Sequence, residues 1–428
     1  MSRATTPTDL SAASGWAPHA ATNSAPVARP LVQIGHAWVW LLAFSGFFVL
    51  REPAPYELLG VAVIGVSFLF GMTLPRPVLP MLGLLILYVL GGFASVPIAP
   101  NLGDARFQIL VTAFLAATSL FFACYMARDT ISRMALIRNA WQCGAILAAL
   151  FGIMGYFGIA GTGELFTRFG RARGSFEDPN VFAPFLAGAV VFAIYTILSQ
   201  PMKRWFFPII VISICSVGIL LSFSRGAWGY TLYSIAVITV LHFVLTPNPA
   251  ERFRIVLLSM VGFGFLMVGV AVAFSIPAIG DLLTQRANLL QSYDGGELGR
   301  FGRHVLGFQL SIHHPLGLGA LGFREMFGID PHNVYLNALM THGWLGFFAY
   351  ITLVFTTAFQ LLRVILFNPP LRAVAIPLFA LFTGAMLMGT FIDTDRWRHF
   401  FLLLGLSWGV IAAGIAHPYA RRSRQVDA

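Results

Sequence analysis

Residues that could do chemistry gather in short polar stretches of an otherwise apolar chain. Three of these stretches are GRARGSFEDPN (170–180), SFSRGAW (222–228) and GIDPHN (328–333). Their arginines carry flat guanidinium groups that match pairs of phosphate oxygens, and arginine supplies all but one of the 27 basic residues of the chain. Histidine can accept a proton near neutral pH. These residue types therefore predict an anion site beside a candidate proton acceptor.

Each stretch ends where a long apolar run begins, so a helix should start there. The runs begin after Pro179-Asn180, Arg225-Gly226 and His332-Asn333. A helix N-terminus exposes unpaired backbone N–H groups and about half a positive charge, which attract anions. A diphosphate is the anion that best uses several such ends together with arginines. We expect four arginines to contribute to the site: Arg171, Arg173, Arg225 and Arg300.

Each of these features also has a purely structural interpretation. Segment 178–180 contains Asp, Pro and Asn, which suit the start of any helix. Arg225 could simply extend towards the membrane surface, although ionisable residues at membrane depth are usually functional. His332 could cap or pack against a helix, but Asp330 and Asn333 beside it favour a chemical role.

A fourth polar stretch, FIDTDRWRHF (391–400), raises the question of a metal site. Its aspartates, Asp393 and Asp395, lie near a histidine, but they are equally well placed to hydrogen-bond the nearby Arg396 and Arg398. The sequence contains no dense set of histidine and cysteine ligands. We therefore expect neither a metal ion nor a cofactor.

The composition indicates that these residues belong to a membrane protein. Apolar residues make up 57% of the 428 residues, charged residues make up 10%, and the mean hydropathy is +0.78. A soluble domain carries roughly 25% charged residues, so the chain is typical of a polytopic membrane protein. Basic cytoplasmic loops account for the net charge of +10, and we expect no nucleic-acid partner. The three cysteines all lie in apolar segments, which argues against a disulfide framework or a zinc site.

The apolar runs predict an all-α protein with about twelve transmembrane helices, since one span needs about 20 apolar residues. The first run is short, the tenth is long enough to tilt or to begin with an interfacial turn, and Gly91 and Gly92 weaken the third. The predicted spans are 34–50, 56–74, 78–97, 105–126, 136–159, 180–199, 205–222, 227–246, 255–275, 333–366, 372–391 and 398–416.

The distribution of charge predicts the orientation of these spans. If both termini are cytoplasmic, the cytoplasmic segments hold 15 basic and 4 acidic residues, and the outer segments hold 12 basic and 13 acidic residues. This bias follows the tendency of basic loops to stay inside. All four polar stretches then fall on the outer face, which supports a single functional site there.

The segments between and around the spans complete the predicted organisation. The outer loop between spans nine and ten contains LLTQRANLL (282–290) and the segment 299–323, whose apolar pattern breaks at Pro315; both suit short interfacial helices. The predicted regions are a disordered cytoplasmic tail (1–33), helices one to nine (34–275), a periplasmic loop (276–331), helices ten to twelve (332–416) and a second cytoplasmic tail (417–428).

Four segments, taken together, carry a resemblance to a known family. They are RARGSFEDPNVFA (171–183), ILLSFSRGAW (219–228), GRFGRHVLGFQLSIHHPLGLG (299–319) and DPHNVYLNALMTHGWLG (330–346). In content and order they resemble the motifs of the O-antigen ligase and polymerase superfamily of bacterial membrane glycosyltransferases. The chain departs from the family pattern at His304, where the family has tryptophan, and its outer loop is short beside those of many ligases.

The resemblance implies a metal-independent glycosyltransferase of the GT-C type in the bacterial inner membrane, active on the periplasmic face. The donor would be a glycan on undecaprenyl diphosphate, and the anomeric carbon would be attacked by an acceptor hydroxyl. His332 would be the base or would position the acceptor, and Arg173, Arg225 and Arg300 would hold the diphosphate. Further residues would orient neighbours or the sugar: Asn180, Asn333 and Asp330.

Three functions remain open at this point. The leading one is an O-antigen ligase, with lipid A–core as the acceptor. A polymerase of O-antigen, capsule or exopolysaccharide repeat units uses the same donor chemistry, with a growing glycan as the acceptor, so the motifs do not separate the two. A transporter of the lipid-linked glycan is disfavoured because no inverted repeat is visible and the polar residues do not cross the midplane. The sequence does not specify the sugars, the product length or the oligomeric state.

Overall fold

The described part of the chain is an all-α bundle with one very short hairpin. The computed structural model describes residues 28–50, 52–287 and 299–416, so both predicted tails lie wholly or mostly outside the described residues. The strands of the hairpin are β1 (Thr167–Arg168) and β2 (Arg171–Ala172). The helices are α1 (Ala28–Ser45), α2 (Pro55–Leu69), α3 (Leu79–Ser95), α4 (Leu102–Met126), α5 (Thr130–Tyr156), α6 (Gly163–Phe166), α7 (Pro179–Ser199), α8 (Phe206–Leu221), α9 (Arg225–Leu245), α10 (Pro249–Ser275), α11 (Pro277–Ala287), α12 (Arg300–His313), α13 (Gly322–Phe327), α14 (Val334–Phe367), α15 (Arg372–Met388) and α16 (Arg398–Ala416).

The long helices identify a multi-pass membrane protein. Among the described residues, nine helices are long and apolar enough to cross a membrane. Each of the twelve predicted spans coincides with a helix, but three of these helices contain shorter apolar stretches: Val32–Ser45, Pro55–Leu69 and Phe206–Leu221. A 16-residue helix rises about 24 Å, which is less than the hydrocarbon thickness of about 30 Å. The full count of twelve spans stays a prediction.

The helices differ strongly in how deeply they are packed. In α16, 83% of the most apolar window is buried inside the protein, whereas the corresponding share for α10 is 6%. Helix α16 packs against α4, α15 and α14, and α14 also packs along α3. Helix α10 has an apolar surface that faces away from the bundle, as expected for a lipid-facing helix.

Gly91 and Gly92, which weaken the third predicted span, lie where α3 contacts α14. A Cβ atom on Gly91 would lie 2.5 Å from the carbonyl oxygen of His342, and one on Gly92 would lie 2.7 Å from the His342 ring. The hydroxyl of Ser95 donates a hydrogen bond to the Thr341 carbonyl at 2.5 Å. Small residues therefore allow close helix packing here, as is common between membrane helices.

Helix α14 is interrupted at Gly343, which has φ 62° and ψ −171°. A loop fills the break: the Pro315 carbonyl accepts a hydrogen bond from the Trp344 N–H at 3.0 Å, and the Leu318 N–H donates to the Met340 carbonyl at 2.7 Å. Backbone groups freed by the kink are thereby paired within the protein, as the membrane interior requires. The glycine-rich bend after Pro315 thus approaches α14.

The segment before α14 forms short helices, as its apolar pattern predicts. Helix α11 covers the first part of the predicted helix at 282–290, and the rest lies outside the described residues. Helix α12 ends at His313, two residues before the predicted break at Pro315. Its outward-facing residues include exposed Phe301, Val305 and Ile312.

Candidate functional site

Helices α7, α9 and α14 all begin at one end of the bundle, which we call the site end. Asn180, in the first turn of α7, joins the first two of these helix starts. Its side-chain oxygen accepts a hydrogen bond from Nη2 of Arg171 at 2.8 Å and another from the Ser224 hydroxyl at 2.9 Å. Ser224 is the residue immediately before Arg225, which begins α9. Asn180 therefore connects two of the predicted motifs.

The turn before α9 is held from the α7 side. Nε of Arg171 donates a hydrogen bond to the Ser222 carbonyl at 2.7 Å. Phe223 is buried and has a left-handed backbone, with φ 48°. A bulky residue rarely adopts this conformation, which here turns the chain sharply enough for α9 to begin at Arg225. Arg225 itself is partly exposed.

The end of α15 links the start of α9 to the start of α14. A Cβ atom on Gly226 would contact the Met388 side chain at 3.2 Å. The next residue, Gly389, accepts a hydrogen bond at its carbonyl from the Val334 N–H at 2.8 Å. Arg225 immediately precedes Gly226, and His332 lies two residues before Val334. Arg225 and His332 are therefore both close to the C-terminal end of α15. The three helix starts are therefore linked by a chain of contacts through Asn180 and the end of α15.

Asp393 holds the start of α14 directly. Its two carboxylate oxygens accept hydrogen bonds from the backbone N–H groups of His332 and Asn333, each at 3.0 Å. The Asn333 side chain caps the helix by accepting from the N–H groups of Tyr335 and Leu336. His332 has a left-handed backbone with φ 52°. Strain of this kind persists only where the surroundings enforce it, and it is often found at functional sites.

The same carboxylate faces the imidazole of His332. Nδ1 of His332 lies 3.8 Å from Oδ2 of Asp393, which is too long for a hydrogen bond but close enough for electrostatic interaction. The histidine side chain is 35% exposed and the aspartate 13%. Burial, together with the nearby carboxylates of Asp395 and Asp330, raises the pKa of Asp393 to about 7. The charge of Asp393 can therefore change near neutral pH.

Arg300 reaches the same region through its helix. It begins α12, and one turn later Nε2 of His304 lies 2.8 Å from the Pro331 carbonyl. Pro331 immediately precedes His332, so the backbone of Arg300 lies close to the predicted base. The side chain of Arg300 lies outside the described part of the structure. His304 therefore fixes α12 against the segment that leads into α14.

Two predicted site residues are engaged elsewhere. Arg173 donates hydrogen bonds to backbone carbonyls of its own loop, Leu165 at 3.1 Å and Glu177 at 3.5 Å. Asp330 forms a two-point ion pair with Arg324. These contacts give both residues a role in holding loops, and their predicted roles in ligand binding stay predictions.

The sequence suggested hydrogen bonds between Arg398 and the carboxylates of Asp393 and Asp395, but Arg398 has other partners. Arg398 pairs with Glu52 and Glu57, which come from the segment around α2. Asp395 is buried and accepts a hydrogen bond from the Asn337 side chain at 2.9 Å. Asp393 holds His332 and Asn333, as described above. The sequence contained one signal of this role, namely that Asp393 and His332 fall on the same predicted face.

The residues described in the structure include no group of three or more His, Cys, Asp and Glu side chains that could hold a metal ion. The candidate site contains arginines, the partly exposed imidazole of His332, carboxamides and the N-terminal ends of three long helices. In comparisons with known proteins, no family model matches this chain and no curated protein matches it.

Proposed function

We propose that this protein is a membrane glycosyltransferase that moves a glycan from undecaprenyl diphosphate to an acceptor hydroxyl, without a metal ion. The observation that supports the proposal is that contacts through Asn180 and the end of α15 link the starts of α7, α9 and α14, which carry Arg225 and the carboxylate-backed His332. The proposal includes about twelve spans, a GT-C-type arrangement and a site on the periplasmic face. The orientation rests on the charge bias of the loops.

The donor side of the proposed site stabilises a leaving diphosphate. Negative charge grows on the bridging oxygen as the bond to the anomeric carbon breaks, and preorganised positive groups lower the free energy of that state. Arg225 lies beside the start of α9 and supplies a guanidinium together with the helix end. Arg171 donates hydrogen bonds to oxygens of Asn180 and Ser222, and these bonds fix the direction of its guanidinium beside the start of α9.

The acceptor side removes a proton from the attacking hydroxyl. The hydroxyl oxygen forms a bond to the anomeric carbon while the bond to the diphosphate breaks, so the configuration inverts. The proton passes to Nε2 of His332, because Nδ1 faces Asp393 at 3.8 Å. The ionised Asp393 favours the imidazolium that results, and its hydrogen bonds to the backbone hold His332 in place.

The proposed acceptor is lipid A–core, which makes the protein an O-antigen ligase. A polymerase that adds repeat units of O-antigen, capsule or exopolysaccharide to a growing glycan would use the same donor surface. The two activities differ only in what approaches His332. The acceptor therefore has to be assigned by experiment.

The test is transfer by the purified full-length protein in proteoliposomes. The donor is a glycan on undecaprenyl diphosphate, offered with lipid A–core in one reaction and without it in another, each with and without a chelator. The proposal expects release of undecaprenyl diphosphate and glycosylated lipid A–core, unaffected by the chelator. Longer carrier-linked glycan without lipid A–core would assign the polymerase activity. Absence of diphosphate release in every reaction would overturn the proposal.

A further inference from the structure

A cavity with polar and apolar walls lies at the end of the bundle opposite the site end. Helix α5 runs from Thr130 near this cavity to Tyr156, whose ring lies 6.0 Å from that of Phe223 at the site end. Its 27 residues correspond to a length of about 40 Å. The cavity has a volume of about 190 Å³, several times the roughly 30 Å³ that one water molecule occupies. It is therefore large enough for a small ligand group.

The walls of this cavity combine apolar and basic residues. Apolar contacts come from α1 and from the chain just after α2, including Val32, Val39 and Phe70. The basic residues are Arg128, in the connection between α4 and α5, and Arg133, in the first turn of α5. Such a lining suits a molecule that carries an anionic group on an apolar tail.

The two guanidinium groups are available to an anion. Within the described residues, neither Arg128 nor Arg133 has a carboxylate oxygen within 4.0 Å, although Asp129 lies between them in the chain. Arg128 donates one hydrogen bond to the neutral hydroxyl of Thr73 at 3.0 Å. Arg133 donates through Nη1 to the Tyr125 carbonyl, and its Nε is buried without a partner in the described part of the chain. Within the described residues neither guanidinium is therefore in direct contact with a carboxylate, and Asp129 compensates Arg133 only from a longer distance.

Neighbouring aromatic groups fix the direction of Arg133. Its guanidinium carbon lies 4.4 Å from the centre of the Tyr125 ring, a cation–π contact. The Tyr125 hydroxyl lies 2.6 Å from Nδ1 of His36, which comes from α1. The Tyr125 side chain is thus held from a second helix, so one basic wall of the cavity is preorganised.

We infer that this cavity binds the phosphate headgroup of an anionic phospholipid, with the acyl chains along the apolar surface of α1 and α2. The paired guanidinium groups match phosphate oxygens, and the apolar wall matches the lipid body. Our charge prediction places this end at the cytoplasmic leaflet, where anionic headgroups meet basic pockets between helices. The inference is independent of the proposed transfer reaction.

The test is lipid binding by the purified full-length protein, measured by native mass spectrometry. The protein is equilibrated in turn with phosphatidylglycerol, phosphatidylcholine and inorganic phosphate. We expect at least tenfold tighter binding of phosphatidylglycerol than of phosphatidylcholine, with no competition by millimolar phosphate. The variant with Arg128→Gln and Arg133→Gln should lose this preference. Equal binding of the two lipids, or inorganic phosphate binding as tightly as the lipid, would overturn the assignment.

Two further variants separate the cavity from general surface charge. Gly35 lines the cavity, and a Cβ atom there would meet no atom within 4 Å, so Gly35→Leu adds a side chain at the cavity wall and leaves both arginines unchanged in sequence. We expect it to lose the lipid preference while the protein stays monodisperse. Arg204→Gln removes an exposed arginine in the connection between α7 and α8 and should keep the preference. Retention by Gly35→Leu, or loss by Arg204→Gln, would contradict a site in this cavity.

Discussion

Two polar clusters lie near each other at the site end, and they use their charges differently. In the first, Arg398 is surrounded by two carboxylates, with Nε 2.5 Å from Glu57 and Nη2 3.0 Å from Glu52. In the second, His332 is backed by Asp393, whose oxygens are mainly occupied by backbone N–H groups. The Arg398 side chain is 10% exposed and the His332 side chain 35% exposed.

The difference separates a cluster that holds the fold from one that we propose acts on a ligand. The Arg398 cluster joins α16 to the segment around α2, and its opposite charges compensate each other. The His332 cluster keeps a partly exposed imidazole on a strained backbone, and strain of that kind has to be maintained by the surrounding structure. Substitutions in the first cluster should therefore change stability, and substitutions in the second should change transfer.

The largest effect on transfer is expected for His332→Ala. General base catalysis contributes about 10²–10⁴-fold, so the single-turnover rate should fall by roughly that factor while donor binding stays close to normal. His313→Ala is the matched control, because His313 is exposed at the end of α12 and should leave the rate unchanged. Near-normal turnover by His332→Ala would remove the difference between the two clusters.

A smaller loss is expected for Arg225→Lys. Lysine keeps the positive charge but lacks the planar fork that binds two phosphate oxygens, so kcat/KM should fall about 10–100-fold. Arg225→Ala should be only slightly worse. The control is Arg204→Lys, at an exposed position away from the site end. Full activity with lysine at position 225 would show that charge alone is sufficient there.

Asp393→Asn tests whether the carboxylate behind His332 acts through its charge. Because the pKa of Asp393 is raised to about 7, its charge is present above that pH and is lost as the pH falls through it. We expect wild-type transfer to decline below about pH 7, and the variant to be about tenfold slower above pH 7 and less dependent on pH around it. An unchanged pH profile in the variant would indicate that Asp393 only caps α14.

The smallest effect on transfer is expected for Arg398→Gln, which tests whether the Arg398 cluster contributes to stability alone. Removing one partner of a largely buried ion pair leaves Glu57 uncompensated and should cost about 3 kcal/mol of unfolding free energy. Transfer per folded molecule should stay near normal. Arg168→Gln is the control, since its pair with Asp178 is 4.0 Å long and exposed, and such pairs contribute about 0–1 kcal/mol. Thermal unfolding in detergent measures both variants.

Hydropathy alone located most of the fold. Every predicted span coincides with a helix, and the break before α14 falls where Pro315 and the following glycines predict one. Gly91 and Gly92 were misjudged as weaknesses, because a glycine in a membrane helix can serve packing against a helix that is distant in sequence. Whether the three shorter helices cross the membrane depends on tilt and local thickness, which composition does not determine.

The site was predictable where its residues start helices and less so where it depends on long-range contacts. Arg225, Asn180 and His332 were recognisable because helix starts have local signals. The partner of Arg398 could not be predicted, since Glu57 lies more than 300 residues away in the chain. Burial was also not predictable from the sequence: Ser175 lies in a polar stretch but is fully buried, whereas Glu177 two residues later is exposed.

The central claim is that the helix starts and Arg225 form a diphosphate site whose chemistry His332 completes. The most direct measurement is the affinity of undecaprenyl diphosphate for the purified protein in nanodiscs, compared among wild type, Arg225→Lys and His332→Ala. We expect wild type and His332→Ala to bind with the same Kd and Arg225→Lys to bind at least tenfold more weakly. Wild-type affinity in Arg225→Lys, or no measurable binding by the wild type, would contradict the claim.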